Sequence, residues 1–264
     1  MTLIAIVMAT LAAGIGSVWL AASLGFAMLA RFTQHLLSLA AGALLATAFM
    51  HLLPEAFESQ AGAKELFATL LVGLVFFFLL DKAELWHHGH EHGHDHDHDH
   101  DHEHHGHHPH NSARKSGGWA VLTGDSVHCF GDGILIASAF IADFHLGLVA
   151  ALAVLAHEVP HHMGDLMVLR QTSGNRRAAL IKVSLAGAVT ALGGLVGYFL
   201  VEKLHDFLPY FLVVASSSFV YVALADLIPQ LQKRLSLRGT AAQIAWLLVG
   251  IALVTVVSGL AHSH

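Results

Sequence analysis

Residues Leu146–Leu169 read LGLVAALAVLAHEVPHHMGDLMVL. The run is apolar and long enough to cross a bilayer as one helix, which takes about 20 residues. Yet it carries His157, Glu158, His161, His162 and Asp165 within it. The preceding apolar run, Trp119–Ala142, is interrupted in the same manner by Gly124-Asp125-Ser126-Val127-His128-Cys129-Phe130-Gly131-Asp132-Gly133. An ionisable group at the centre of a membrane helix costs roughly 2.5–3.5 kcal/mol even on the most lenient scale. Two adjacent runs bearing several such groups therefore call for something that compensates them.

The rest of the chain agrees with a membrane setting. Of its 264 residues 55% are hydrophobic and 12% charged, against about 25% charged in a soluble domain. The mean hydropathy is +0.61. Most of the 24 histidines crowd into 87–110, so the remainder is more apolar still. Thirteen basic against 19 acidic residues, with no basic aromatic surface, give nucleic acid nothing to bind. The single cysteine, Cys129, excludes an intrachain disulfide framework.

Eight runs qualify as spans: Leu3–Ala30, Leu36–Phe57, Leu66–Trp86, Trp119–Ala142, Leu146–Leu169, Leu180–Val201, Phe207–Leu231 and Ala241–Leu260. At these lengths only helices satisfy their own backbone in hydrocarbon. No basic residue precedes the first run, which predicts a retained span rather than a cleaved leader. Arg31, Lys82, Arg114, Lys115, Arg170, Arg176, Arg177, Lys182, Lys233, Arg234 and Arg238 fall in alternate loops, and the other side holds only Lys64 and Lys203. The positive-inside bias then predicts both termini outside a cell (inner) membrane and the histidine-rich loop in the cytoplasm. His51-Leu52-Leu53-Pro54-Glu55 and Asp226-Leu227-Ile228-Pro229-Gln230 close the second and seventh spans on opposite faces, as an inverted-topology repeat would. The chain thus divides into spans one to three (1–86), the loop (87–118), spans four and five (119–170) and spans six to eight (171–264). Having no apolar residue to build a core, the loop is expected to be disordered without metal.

His128 and Asp132 stand i, i+4 on one helix face, as do His157 and His161, with Cys129 and Glu158 beside them. Counting 1.5 Å per residue puts both pairs near the middle of their spans. Imidazole, thiol and carboxylate at one depth suit a divalent cation, with zinc favoured and iron or manganese admitted. Buried His–Asp pairs that merely join helices are the plainer alternative. The stretch His157-Glu158-Val159-Pro160-His161 also matches the H-E-x-x-H signature of zinc hydrolases, although proline disturbs the regular helix that signature needs. A cation-efflux antiporter is a further alternative.

At these residues the sequence resembles the ZIP (Zrt/Irt-like) family of divalent metal transporters, closest to its LIV-1-like branch. The family pattern H-N-F-x-D-G is similar to His128–Gly133, and H-E-x-P-H-E-x-G-D to His157–Asp165; the stretch Tyr221–Pro229 is similar too. The resemblance implies an all-α, polytopic membrane protein of eight transmembrane helices in a 3+2+3 arrangement with inverted repeats. It would be a transporter rather than an enzyme, carrying zinc, with iron, manganese or cadmium as further substrates, into the cytoplasm by alternating access. It implies no resident cofactor, metal ions and lipid as partners, and a homodimer as an option. It implies two adjacent metals bridged by Asp132, with His128, His157 and His161 at the first and Cys129 and Glu158 at the second. Cys129 replaces the family's asparagine and His162 its glutamate, the latter counted among the ligands. His51 and Glu55 are entrance candidates, and Asp165 and Asp226 exit candidates.

Overall fold

The computed structural model describes residues 1–24, 26–89, 113–173, 175–231 and 236–261. Eight helices in them are long and apolar enough to cross a membrane: α1 Thr2–Leu24, α2 Phe32–Phe57, α3 Ala63–Leu80, α4 Leu122–Ala142, α5 Phe144–Arg170, α6 Arg176–Lys203, α7 His205–Leu231 and α8 Leu237–Ser258. Each corresponds to one run read from the sequence. The helix of α3 continues to Gly89, and that of α4 begins at Ala113. Residues 90–112 of the histidine-rich loop lie outside the described residues.

Local chemistry sets the helix ends. Asp143 alone separates α4 from α5, and its carboxylate accepts from the amides of His145 (2.8 Å) and Leu146 (3.0 Å), satisfying donors that the first turn leaves free. Asn175 starts α6 in the same way, accepting from the Arg177 amide at 3.0 Å. Inside α2 and α7 the helix widens into π-turns at Ala48–Leu52 and Val222–Leu227, each ending two residues before a proline, Pro54 or Pro229. Proline brings no amide and presses on the carbonyl four residues back, so a widened turn relieves it. The two halves of the suspected repeat thus share a backbone irregularity as well as a sequence.

α3 and α8 lie at the periphery, and α2, α4, α5 and α7 are the more buried helices. Phe67, Leu71, Val75, Phe76 and Leu79 on α3 and Leu248, Leu253 and Val256 on α8 are exposed, an arrangement suited to lipid rather than water. The main packing pairs are α4 with α6 and α1 with α5, α2 with α8 and α7 with α3, α2 with α5 and α7 with α4, and α5 with α6 and α4 with α1. Exchanging α1–α3 for α6–α8 and α4 for α5 turns each pair into its companion, while α1–α6, α2–α7 and α4–α5 map onto themselves. That is the pairing expected of inverted repeats flanking two central helices. Backbones meet where small residues line the seams: a Cβ built on Gly133 would strike the Thr190 carbonyl, and one on Gly193 the Phe130 carbonyl. Close approach of this kind replaces the hydrophobic drive that lipid cannot supply between helices.

Candidate metal centre

The centre forms where α4 and α5 run antiparallel across their single-residue turn. His128 and Asp132 face His157 and Glu158. The His157 Nε2 stands 3.2 Å from Asp132 Oδ2 and 3.3 Å from Glu158 Oε1. The His128 Nε2 is 3.3 Å from Glu158 Oε1, 3.3 Å from His157 Nε2 and 3.8 Å from Asp132 Oδ2. Ligand atoms on a tetrahedral zinc with bonds of 2.0–2.1 Å stand about 3.3 Å apart. Four of these separations, at 3.2–3.3 Å, are of the size a tetrahedral zinc would set, and the His128–Asp132 one is longer at 3.8 Å.

A second group adjoins it. His162 Nε2 lies 3.0 Å from Glu158 Oε2, 3.5 Å from Asp125 Oδ1 and 3.8 Å from the Cys129 Sγ, which is itself 3.6 Å from Asp125 Oδ1. The longer separations around sulfur match the longer Zn–S bond of about 2.3 Å. All four residues are buried. Glu158 serves both groups, giving Oε1 to one and Oε2 to the other.

The electrostatics point to a cation. Neither Glu158 oxygen, nor Asp132 Oδ2, nor Asp125 Oδ2 makes a hydrogen bond; the contacts to imidazole nitrogens have ion-pair distances without hydrogen-bond geometry. Buried carboxylates without donors are costly. Two of the histidines are, moreover, held with their lone pairs inward. The His157 Nδ1 lies 3.3 Å from the Ala153 carbonyl, which can only accept, so Nδ1 carries the proton and Nε2 is free to ligate. The Ser17 hydroxyl in α1 donates its one proton to the Gly14 carbonyl (2.6 Å), so its oxygen accepts from His162 Nδ1 at 2.8 Å. Such outer partners fix the tautomer of a metal-binding imidazole. The π-turn Ala12–Gly16 immediately before Ser17 aims it at α5.

Ser17→Ala should thus raise the Cd2+ concentration that half-saturates the Cys129 thiolate–metal absorption band by roughly 10–100-fold, with Ser17→Thr restoring it. An unmoved titration in Ser17→Ala would leave that serine without a part in the centre.

The structure brings together His128, Cys129, Asp132, His157, Glu158 and His162. Two placements bear on what the resemblance implies. Glu158, rather than Asp132, is the carboxylate common to two groups. His161 lies against His128, their ring centroids 5.3 Å apart, with its Nδ1 turned to Asp125 and Asp165, 3.6 Å from each. The reason is geometric: one turn forward along α5 faces one turn backward along antiparallel α4. Asp125 and Ser17 escaped the sequence reading. Asp125 was detectable, being i−4 to Cys129 as His128 is to Asp132, whereas nothing sets Ser17 apart from other serines in apolar helices. His51 stays away from the centre, its Nδ1 3.3 Å from the Ser258 Oγ, and Glu55 is exposed near the end of α2. The side chain of Asp226 lies outside the described residues.

Known proteins are similar to this chain in sequence. Human zinc transporter ZIP4 is 37% identical over 115 residues, 44% of this chain and 18% of that protein. Zinc transporter ZIP10 of Danio rerio is 32% identical over 113 residues, 43% of this chain and 13% of that protein. Rat zinc transporter ZIP4 is 27% identical over a longer stretch, covering 74% of this chain and 38% of that protein. The matches thus span well under half the length of these relatives. The profile of the family described as ZIP Zinc transporter matches residues 84–258, which take in α4, α5 and the whole metal centre. The chain belongs to the ZIP zinc transporter family, a family of multi-pass membrane transporters rather than enzymes.

Proposed function

We propose that this protein carries a divalent cation, zinc first, across a membrane through the α4–α5 centre by alternating access. The observation that carries this reading is the set of buried, donor-free carboxylate oxygens of Asp132 and Glu158 standing 3.2–3.3 Å from imidazole Nε2 atoms. A cation there neutralises groups that are otherwise costly at that depth. Metal sheds water near His51 and Glu55, moves onto His128, Asp132, His157 and Glu158, passes to Cys129 and His162, and leaves past His161, Asp165 and Asp226. The basic-loop bias favours both termini outside and the histidine-rich loop in the cytoplasm, and the likeness to ZIP transporters favours net movement inward. In this reading 1–86 and 171–264 form the repeats, 119–170 the metal-binding helices, and 87–118 a cytoplasmic metal buffer. Iron, manganese and cadmium fit the same donor set.

Proteoliposomes holding the full chain should take up 65Zn2+ well above empty liposomes, and equality of the two would defeat the proposal. Cys129 tunes selectivity, since thiolate favours softer ions. Cys129→Asn should lower the Cd2+ to Zn2+ uptake ratio by about tenfold, equivalent to about 1.4 kcal/mol; an unchanged ratio would remove sulfur from the path.

A further inference from the structure

We propose that the cleft between α1, α5 and α6, at the Arg170 end of α5, binds the phosphate headgroup of an anionic glycerophospholipid. Its walls are Ala22 of α1, Leu166 and Arg170 of α5, and Arg176, Ala179 and Leu180 of α6. Leu166 and Ala179 are buried and belong to the apolar cluster that joins the three helices, whereas Arg170 and Arg176 are exposed. An apolar floor beneath two guanidiniums matches the glycerol-phosphate end of a lipid. With its open mouth the cleft measures about 290 Å³, which admits that end and not a whole lipid. The Arg176 Nη2 donates to the Ala22 carbonyl at 3.3 Å, reaching from α6 to the last turn of α1. That bond uses one of five guanidinium donors, set in a planar fork that fits phosphate oxygens two at a time.

Charge decides the occupant. No aspartate or glutamate occurs in 1–54 or in 166–201, stretches that hold all of α1, the Arg170 end of α5 and nearly all of α6. Yet 170–182 carries Arg170, Arg176, Arg177 and Lys182, on a chain whose net charge is -6. The last acid of α5, Asp165, faces His161 instead, its Oδ2 3.6 Å from that Nδ1. Arg176 and Arg177 also stand in the first turn of α6, which has no acidic residue and where the helix dipole disfavours cations. An anion from outside the protein therefore completes the cleft. The bilayer supplies it, because α5 and α6 leave the apolar layer here, and basic pockets between helix ends suit lipid headgroups. Met167 on α5 and Ile181 on α6, each next in sequence to a residue of the cleft, are exposed hydrophobics for acyl chains to cover. A lipid seated there clasps α1 to α5 and α6, supporting the contact through which Ser17 meets His162.

Native mass spectrometry of the full chain in detergent tests this, with dioleoyl phosphatidylglycerol, dioleoyl phosphatidylcholine and inorganic phosphate as probes. The wild type should hold phosphatidylglycerol more tightly than phosphatidylcholine, which has the same acyl chains and no net charge. Replacing both cleft arginines, Arg170→Gln with Arg176→Gln, should weaken phosphatidylglycerol binding by roughly tenfold or more. Arg177→Gln, outside the cleft, should bind as the wild type does. Equal affinity for the two lipids, undiminished affinity in the double variant, or an equal loss in Arg177→Gln would overturn the site. Displacement of phosphatidylglycerol by inorganic phosphate at equal concentration would make it a free-anion site and overturn the lipid. Photo-crosslinking of the wild type requires no variant to fold. Phosphatidylglycerol with a diazirine on the first carbons of an acyl chain should label peptides holding Ala22, Leu166 or Leu180, and label confined to other helices would likewise overturn the proposal.

Discussion

Replacing Glu158 by glutamine should eliminate zinc uptake into proteoliposomes while leaving the metal-free protein no less stable. Glutamine keeps the shape of the side chain and removes the charge shared by two ligand groups, Oε1 3.3 Å from His128 and His157, Oε2 3.0 Å from His162. Losing one partner of a buried charge interaction costs about 3–5 kcal/mol, and each 1.4 kcal/mol is tenfold in affinity. Cation binding should thus weaken by two orders of magnitude or more. The metal-free fold behaves oppositely, because neither Glu158 oxygen makes a hydrogen bond that glutamine would forfeit. Paired measurements of 65Zn2+ flux and of thermal unfolding with the metal chelated check both halves. A drop in the metal-free Tm as large as the drop in flux would make Glu158 a structural residue.

Gly133→Ala should be the most damaging single-methyl change in α4, and Gly131→Ala, two residues away, harmless to folding. Both gain about 0.8–1 kcal/mol of helix propensity. At Gly131 an added Cβ meets nothing within 4 Å. At Gly133 it would overlap the Thr190 carbonyl and sit 2.6 Å from the Gly194 amide nitrogen. Backbone cannot step aside as a side chain can, and overpacking typically costs 1–3 kcal/mol or more. The α4–α6 seam, the most extensive in the bundle, must then open. Thermal unfolding of the solubilised variants should show a lowered Tm for Gly133→Ala and an equal or higher one for Gly131→Ala. The reverse order would mean that α4 and α6 do not approach as described.

The eight helices were legible because hydrocarbon leaves the backbone no other way to satisfy itself, so apolar length alone reports them. Helix irregularities were legible only in part. Pro54 and Pro229 announce the π-turns of α2 and α7, but α1 widens at Ala12–Gly16 with no proline to mark it. At the centre, spacing along one helix identified His128 with Asp132, whereas the partners across the pair depend on an antiparallel register that no single helix encodes. That register assigns His161 to Asp125 and Asp165 and makes Glu158 the shared carboxylate. Ser17 lay beyond reach for a related reason. Its role comes from facing His162 across α1 and α5, and serines such as Ser216 look the same in sequence yet only bond back to their own helix.

Anomalous diffraction at the zinc edge from crystals of the zinc-loaded protein decides the matter most directly. The account predicts a peak between α4 and α5 within about 2.0–2.3 Å of a Glu158 oxygen and the Nε2 of His157 or His162. Anomalous density confined to the histidine-rich loop, with the α4–α5 side chains unaltered and metal-free, would contradict it.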